Sequence, residues 1–276
     1  MKKFAVAALS AMLAATPALA QDNDDWTGFY VGGHLGYAFQ KSNNDETILF
    51  DNNLDGTFGD TVRTGNATNG PDAFGPGFCG GSTSASVPGN GCRGDEDGTD
   101  YGVHAGFDYD FGGFVVGLVG EYGETNVSDS VTAFSTTPAY YTITRELGST
   151  YGIRARAGVD LGNTLIYGTG GAVNAKIRTR QTNSNTVNAF QGINESDREW
   201  GYRYGGGIER RFGPLALGVQ YLYTRIKDDE FRVNVTRGGA PATNPFVLAN
   251  ANGTQFRRSD EVFNNHSVQA TAAFRF

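Results

Sequence analysis

Residues 101–122, YGVHAGFDYDFGGFVVGLVGEY, contain two runs in which apolar residues alternate with small or polar ones. The first run has its apolar residues at odd positions, and the second has them at even positions. The pair Gly112-Gly113 separates the two runs. Alternation with a period of two is typical of a strand with one apolar face, and a glycine pair between two such runs predicts a tight turn. The segment therefore predicts an antiparallel hairpin with one apolar face.

Six further segments alternate in the same way, which gives eight predicted strands of about ten residues, the length that crosses a bilayer when a strand is tilted. The predicted strands are 29–39, 101–111, 114–122, 151–161, 165–177, 200–212, 215–223 and 266–276. Short connections at 112–113, 162–163 and 213–214 alternate with long ones at about 40–99, 124–149, 179–198 and 228–265. Membrane barrels have this alternation of short turns and long extracellular loops, whereas compact soluble domains seldom carry four such loops.

The apolar faces carry aromatic residues at both ends, as expected for side chains at the two membrane interfaces. On the turn side these are Phe29, Phe111, Phe114, Phe212, Phe274 and Phe276; on the loop side they are Tyr37, Phe39, Tyr101, Tyr122, Tyr151, Trp200, Tyr202 and Tyr223. A soluble barrel would bury the apolar faces and expose the charged ones. Here the apolar faces are instead expected to face lipid, with the charged faces inside, because burying so many charges in a dry core is costly. The sheet must close into a barrel, because open strand edges cannot exist in hydrocarbon. The prediction is an all-β, eight-stranded antiparallel transmembrane β-barrel with long extracellular loops.

The N-terminus has the pattern of a secretory signal peptide. Lys2 and Lys3 precede a short apolar run, and Ala18-Leu19-Ala20 matches a cleavage site. We predict that residues 1–20 are removed and that residues 21–276 form a single barrel domain; the alternative, a retained anchor helix, requires a longer apolar run.

Export also bears on the two cysteines, Cys79 and Cys92. In an oxidising compartment they are expected to form one disulfide. The alternatives are a pair of metal ligands or free thiols, and the lack of a nearby histidine argues against a metal.

The stretch WTGFYVGGHLGYAF, residues 26–39, resembles the opening of small outer-membrane barrels of the alphaproteobacterial surface-antigen type, which are grouped with OmpA-like and opacity proteins in the porin family. The terminal Phe276 resembles the assembly signal that the barrel-assembly machinery reads in these proteins. The resemblance implies an outer-membrane location and contact with outer-membrane lipid and lipopolysaccharide. The long first loop with its two cysteines departs from the family pattern.

The predicted lumen is rich in charge. The inward residues are expected to include the acids Asp108, Asp110, Glu121, Asp160 and Glu209 and the bases Arg154, Arg156, Lys176, Arg178, Arg203, Arg211 and Arg275. An eight-stranded barrel has an interior just wide enough to be filled by side chains. We therefore predict a salt-bridged, hydrated plug, with a narrow charged pore as the alternative.

The histidines give only weak signals for a cofactor or for catalysis. His34 and His104 face the predicted lumen on neighbouring strands, but two histidines without a third ligand do not define a metal or heme site. His266 and Ser267 are adjacent, as in a possible outer-membrane lipid hydrolase, yet alternation directs them to opposite faces. We predict no enzymatic activity and no cofactor.

The first loop contains DNNLDG at 51–56, which matches the first half of a calcium loop. Asp51, Asn53 and Asp55 are weak metal candidates, because Val62 stands where the bidentate Glu belongs. One hypothesis is that this acidic loop loosely binds divalent cations that bridge to lipopolysaccharide phosphates; the alternative is a solvated acidic loop.

The net charge disfavours one class of function, and several others remain open. The net charge of −7 argues against nucleic acid as a partner. We predict a structural surface antigen that serves envelope integrity, with loops that contact host surface molecules or another ligand. The alternative is a small porin; an outer-membrane lipid hydrolase and a loop-borne heme-binding or adhesin role are less favoured.

Overall fold

The computed structural model describes residues 25–41, 45–89 and 91–276. The predicted signal peptide lies outside these residues. The strands are β1 (Gly28–Phe39), β2 (Ile48–Asp51), β3 (Gly77–Cys79), β4 (Gly98–Asp110), β5 (Phe114–Thr125), β6 (Ser128–Ser135), β7 (Ala139–Asp160), β8 (Thr164–Asn183), β9 (Ala189–Ile193), β10 (Ser196–Phe212), β11 (Leu215–Lys227), β12 (Arg232–Thr236), β13 (Thr254–Arg258) and β14 (Val262–Arg275). One short helix, α1, spans Pro245–Leu248. Within the described residues no helix is long and apolar enough to span a membrane.

Eight strands close into an antiparallel barrel, as predicted. Around the barrel the order is β1, β4, β5, β7, β8, β10, β11 and β14, so each strand pairs with its neighbours in this sequence. The last strand returns to the first, with Tyr30 opposite Arg275 and Phe39 opposite His266. This closure leaves no open edge, which satisfies the backbone of every crossing strand.

The outward face is apolar and has aromatic side chains at both ends. Phe29 is 66% exposed near the turns, and Trp200 is 62% exposed near the loops. Leu35, between these two levels, is 65% exposed. The predicted aromatic girdles therefore lie on the outside of the barrel, where lipid would cover them.

The predicted facing of one strand is wrong. On β8 the odd residues Leu165 and Tyr167 are buried, whereas Ile166 is 49% exposed. The residues at 165–167 are all apolar, so alternation cannot choose a face. The pairing with β10 decides it, because Ile166 lies opposite the exposed Ile208 and the residues at 172 and 202 also pair on the outside.

Two cations that were predicted to face the lumen therefore lie on the outer surface of the barrel. Lys176 and Arg178 share the outward parity of Ile166, and they lie on the loop side of the barrel, partly buried and exposed respectively. They do not join the charges in the lumen.

The long loops are more ordered than their sequence suggested. Strands β7 and β8 continue beyond the barrel as a pair, and β6 pairs with the extension of β7. Strands β2, β13, β12 and β9 form a separate four-stranded sheet. We call this loop-side structure, residues 45–89, 128–147, 178–195 and 228–260, the platform. Its core contains Phe50 and Phe74, whose rings are 4.3 Å apart, and Phe256. The alternating sequence FRVNVT at 231–236 contains β12, one of the strands of this sheet.

Candidate functional site

An ion network fills the turn-side half of the lumen. Asp108 is fully buried and accepts hydrogen bonds from Arg156 and Arg275; the Arg275 Nη2 lies 2.7 Å from its Oδ2. The Arg156 Nη1 also donates to Glu209 over 3.0 Å. Both guanidinium groups stack over the ring of Tyr30, at 4.8 and 4.9 Å. Paired, stacked arginines of this kind are well suited to a closed interior.

A second ion cluster lies closer to the loops. Glu121 accepts from the Arg154 Nη2 over 2.9 Å and from the Arg203 Nη1 over 2.8 Å. Each arginine also donates to a threonine hydroxyl, Arg154 to Thr169 over 3.0 Å and Arg203 to Thr224 over 2.8 Å. We call these two clusters together the lumen network; it consists of Asp108, Glu121, Arg154, Arg156, Arg203, Glu209 and Arg275.

Neutral polar side chains fill the space beside the lumen network. The Gln269 Nε2 donates to Asp100 over 2.6 Å, and the Gln220 Nε2 donates to Gln269 over 2.6 Å. His34 lies 3.5 Å from Asp100, and its ring stacks on His104 at 6.2 Å. The cavity that remains among these groups is about 20 Å³, close to the minimum for one water molecule.

Small residues make this dense filling possible. A side chain at Gly117 would collide with the carboxylate of Asp108, and one at Gly106 would collide with the ring of Tyr30. Inward glycines thus provide room for the long charged side chains and aromatic rings that arise on facing strands.

Apolar layers close both mouths of the barrel. At the turn side Trp26 is fully buried and its Nε1 donates to Asp160 and to the carbonyl of Gly162, each over 2.9 Å. Arg275 donates to the Trp26 carbonyl over 2.6 Å. At the loop side a buried cluster spans the mouth and includes Leu147 and Phe263. The lumen is therefore sealed at each end by apolar residues around a polar centre.

Several predicted lumen residues occupy the rim instead. Asp110 accepts from the backbone N–H groups of Gly112 and Gly113 over 2.8 and 3.0 Å, so it caps the turn, where Gly112 has a φ of 83°. Asp160 holds Trp26, and Arg211 donates to the carbonyl of Asp25 beside that ring.

Some residues of the filled lumen were not singled out from the sequence. These are Trp26, Tyr30, Tyr167, Gln220 and Gln269. Alternation places Tyr30, Gln220 and Gln269 on the wet face, but it does not identify their partners.

A third ion cluster lies outside the barrel, at the base of the platform. The Arg258 side chain binds both oxygens of Glu46 over 2.7 and 2.5 Å, and it also donates to Asp129 over 2.7 Å. The Arg145 Nε donates to the other oxygen of Asp129 over 2.8 Å. We call this group, which also includes Asp95, Asp228 and Asp260, the platform-base cluster. It joins the first loop to β6, β7 and β13.

Acids outnumber arginines in the platform-base cluster, and this affects their ionisation. Burial raises the pKa of Glu46 to about 7, although Arg258 opposes the rise. Burial and the neighbouring Asp129 raise the pKa of Asp95 to about 6. Burial also opposes ionisation of Asp129, but Arg145 and Arg258 together lower its pKa. One proton is therefore held readily here near neutral pH.

The family model described as "Outer membrane protein beta-barrel domain" matches residues 5–276. The chain belongs to this family. None of the curated proteins matches this outer-membrane barrel protein. Similar solved structures include OprG from Pseudomonas aeruginosa, with 12% identity, a TM-score of 0.43 and coverage of 93% of this chain and 100% of that one. Ail of Yersinia pestis has 12% identity, a TM-score of 0.35 and coverage of 91% and 99%. Family membership implies an outer-membrane location, and no property of the two proteins is carried over.

The weak metal candidates of this outer-membrane barrel protein are engaged in a turn. The Asp51 carboxylate accepts from the backbone N–H groups of Leu54, Asp55 and Gly56 over 2.6, 3.2 and 2.9 Å. Asn53 accepts from the N–H of Asp55 over 2.9 Å. These oxygens organise the loop itself.

Two other predictions for the barrel protein are confirmed. Cys79 and Cys92 form a disulfide at the edge of the platform. Ser267 is buried, whereas His266 faces outward and its Nδ1 lies 2.6 Å from the Tyr221 hydroxyl. The two side chains lie on opposite faces of β14 and do not form a nucleophile–base pair.

Proposed function

We propose that this outer-membrane barrel is a closed structural protein that displays the platform at the cell surface. The observation that carries the proposal is the filled lumen, in which the cavity beside the lumen network is only about 20 Å³. A permeating ion would have to separate the pair between Asp108 and Arg156 and to pass Trp26. Separating a buried ion pair costs free energy, which favours a plug over a pore.

Conductance tests the closed lumen directly. Refolded protein lacking residues 1–20 is added to a planar bilayer, and the expected result is an unbroken baseline after insertion. Insertion is verified separately, by protection of the barrel strands from protease in vesicles of the same lipid. Stable single-channel steps from verified insertions would support the small-porin alternative and overturn the proposal.

Surface display is tested by labelling engineered cysteines in intact cells. The described residues contain no free cysteine, so a new one reports its own position. Val187, on the platform, is 50% exposed, and Asn163 is exposed in the turn between β7 and β8. A membrane-impermeant maleimide should label Val187→Cys in intact cells and label Asn163→Cys only after permeabilisation. The opposite pattern would mean that the platform faces the periplasm.

We also assign to the platform the binding of host molecules or other extracellular ligands. It offers an uncharged pocket of about 240 Å³ between the hairpin tip at 135–139 and the segment 184–187.

Assembly is assigned to the barrel-assembly machinery, with Phe276 as the signal residue. Its N–H pairs with the carbonyl of Phe29 over 2.9 Å and its ring is 40% exposed, so Phe276→Ala should lower the assembled yield in cells more than refolding in detergent.

A further inference from the structure

Basic side chains line the outside of the barrel on the loop side of β8, β10 and β11. They are Lys176 and Arg178 on β8, Arg198 on β10 and Arg225 on β11. All four share the outward parity of their strands, and all are exposed except Lys176, which is partly buried. We call these four residues the basic strip.

The register fixes the height of the basic strip relative to the aromatic girdle. Trp200 lies opposite Asn174, and two residues further along the strands Arg198 lies opposite Lys176. Two residues correspond to about 6.6 Å along a strand, or about 5 Å of height at a tilt of about 40°. The polar layer on each side of a bilayer is about 5–7 Å thick. Arg178, two residues beyond Lys176, lies further from the membrane, and Arg225, opposite Tyr202, lies on the membrane side of Trp200. Lys176 and Arg198 therefore lie among lipid headgroups, with Arg178 and Arg225 on either side of them.

Among the described residues no member of the basic strip forms an ion pair, although Arg178 lines a cavity together with Glu124 and Glu146. Lys176 and Arg198 are directly opposite each other, an arrangement of like charges that destabilises a strand pair. Arg198 donates to Asn174 and Ser149 over 3.2 and 2.9 Å and stacks on a girdle ring, but it forms no ion pair. Arg178 lies opposite Glu146, whose carboxylate is instead 3.8 Å from Arg180.

Carboxylates lie beside the girdle tyrosines of β1 and β4. The Tyr37 hydroxyl donates to Asp97 over 2.8 Å, and the Tyr101 hydroxyl donates to Glu124 over 2.8 Å. Girdle tyrosines on β1 and β4 are therefore next to carboxylates, whereas those on β7 and β10 are next to cations.

We propose that the basic strip binds the phosphate groups of lipopolysaccharide, at the lipid A level, and so fixes one oriented lipid against β8, β10 and β11. A phosphate bridging Lys176 and Arg198 removes their mutual repulsion, and a guanidinium donates two parallel hydrogen bonds to such an anion. The acyl chains would then lie along the apolar face below Trp200. This site is separate from the first loop and needs no divalent cation.

Energy transfer from tryptophan to dansyl-labelled lipid A measures this binding. The chain has two tryptophans, and Trp200, 62% exposed beside the basic strip, is the donor near the site. In detergent micelles containing a chelator, Lys176→Gln/Arg198→Gln should raise the half-saturating concentration of bis-phosphorylated lipid A about tenfold or more. Removing the phosphates from the lipid should weaken its binding to the unaltered protein by a similar factor.

The matched control is Arg93→Gln/Arg210→Gln, which removes the same charge elsewhere. Arg93 is exposed beside the disulfide, and Arg210 is exposed at the turn side over Phe212. This control should bind lipid A as the unaltered protein does. The proposal is overturned if both double variants bind equally, or if the unaltered protein binds lipid A with and without phosphates equally well. The second comparison needs no variant, so it holds even if one refolds poorly.

Discussion

The lumen network and the platform-base cluster are built from the same residue types in opposite proportions. In the lumen network each carboxylate meets at least one arginine, and Asp108 and Glu121 each meet two. In the platform-base cluster the acids outnumber the two arginines, and Arg258 and Arg145 both form ion pairs with Asp129. The centres of both groups are buried, so the ratio of acids to arginines determines which region depends on a proton. The barrel is therefore expected to be insensitive to moderate changes of pH that affect the platform.

The largest expected effect follows from removing the shared acid of the lumen. Asp108→Ala leaves Arg156 and Arg275 without their common carboxylate in a sealed interior. The free energy of unfolding should fall by about 3–5 kcal/mol, the usual cost of stranding a buried charge. Urea titration in micelles, followed by the heat-dependent gel shift of the barrel, measures this change.

Asp97→Ala is the matched control, since Asp97 is exposed and its carboxylate accepts from Tyr37. It should change the free energy of unfolding by less than about 1 kcal/mol. Equal effects of the two substitutions would show that solvent screens the Asp108 ion pairs as it screens an exposed carboxylate.

The next effect separates the two regions. Arg258→Gln leaves Glu46 and Asp129 buried without their shared cation. The platform should lose about 3 kcal/mol of local stability, whereas the barrel keeps its own network. Proteolysis should then cut the segment 45–60 rapidly, with the gel shift of the barrel unchanged. A matching loss in the gel shift would mean that platform and barrel unfold together.

The sequence predicted the barrel well because lipid imposes a simple rule. Alternation with a period of two had to put apolar residues outside, and it gave the strands, the turns and most of the lumen residues. The rule failed at 165–167, where three apolar residues follow each other and only pairing with β10 selects the face. That failure misplaced Lys176 and Arg178.

The platform was harder to foresee, for a different physical reason. Its core joins segments from the first, second and last loops, such as Phe50, Tyr141 and Phe256. No local pattern specifies which loops meet. The pairing of Arg258 with Glu46, residues 212 apart, depends on the same long-range packing.

A smaller effect is expected from the disulfide. Cys79 and Cys92 enclose a short segment at the platform edge, with a sequence separation of 13. Cys79→Ser/Cys92→Ser should lower local stability by about 3 kcal/mol at most, because the closed loop is short. Amide exchange of residues 77–93 should rise, while exchange of the segment 254–258 stays the same. Faster exchange in both segments would show that the disulfide supports the whole platform.

The smallest effect is the pH dependence that the comparison predicts for the platform alone. Burial raises the pKa of Glu46 to about 7 from 4.5, so the folded platform holds this proton more tightly than the unfolded chain does. The stability that the proton contributes is complete below about pH 4.5 and is lost as the pH rises through about 7. After correction for the intrinsic exchange rate, amides of β2 should therefore exchange at least about ten times faster at about pH 8 than at about pH 5.5. Glu46→Gln cannot titrate and should exchange at the same corrected rate at both values, whereas an unchanged pH dependence in that variant would assign the proton to another acid, such as Asp95.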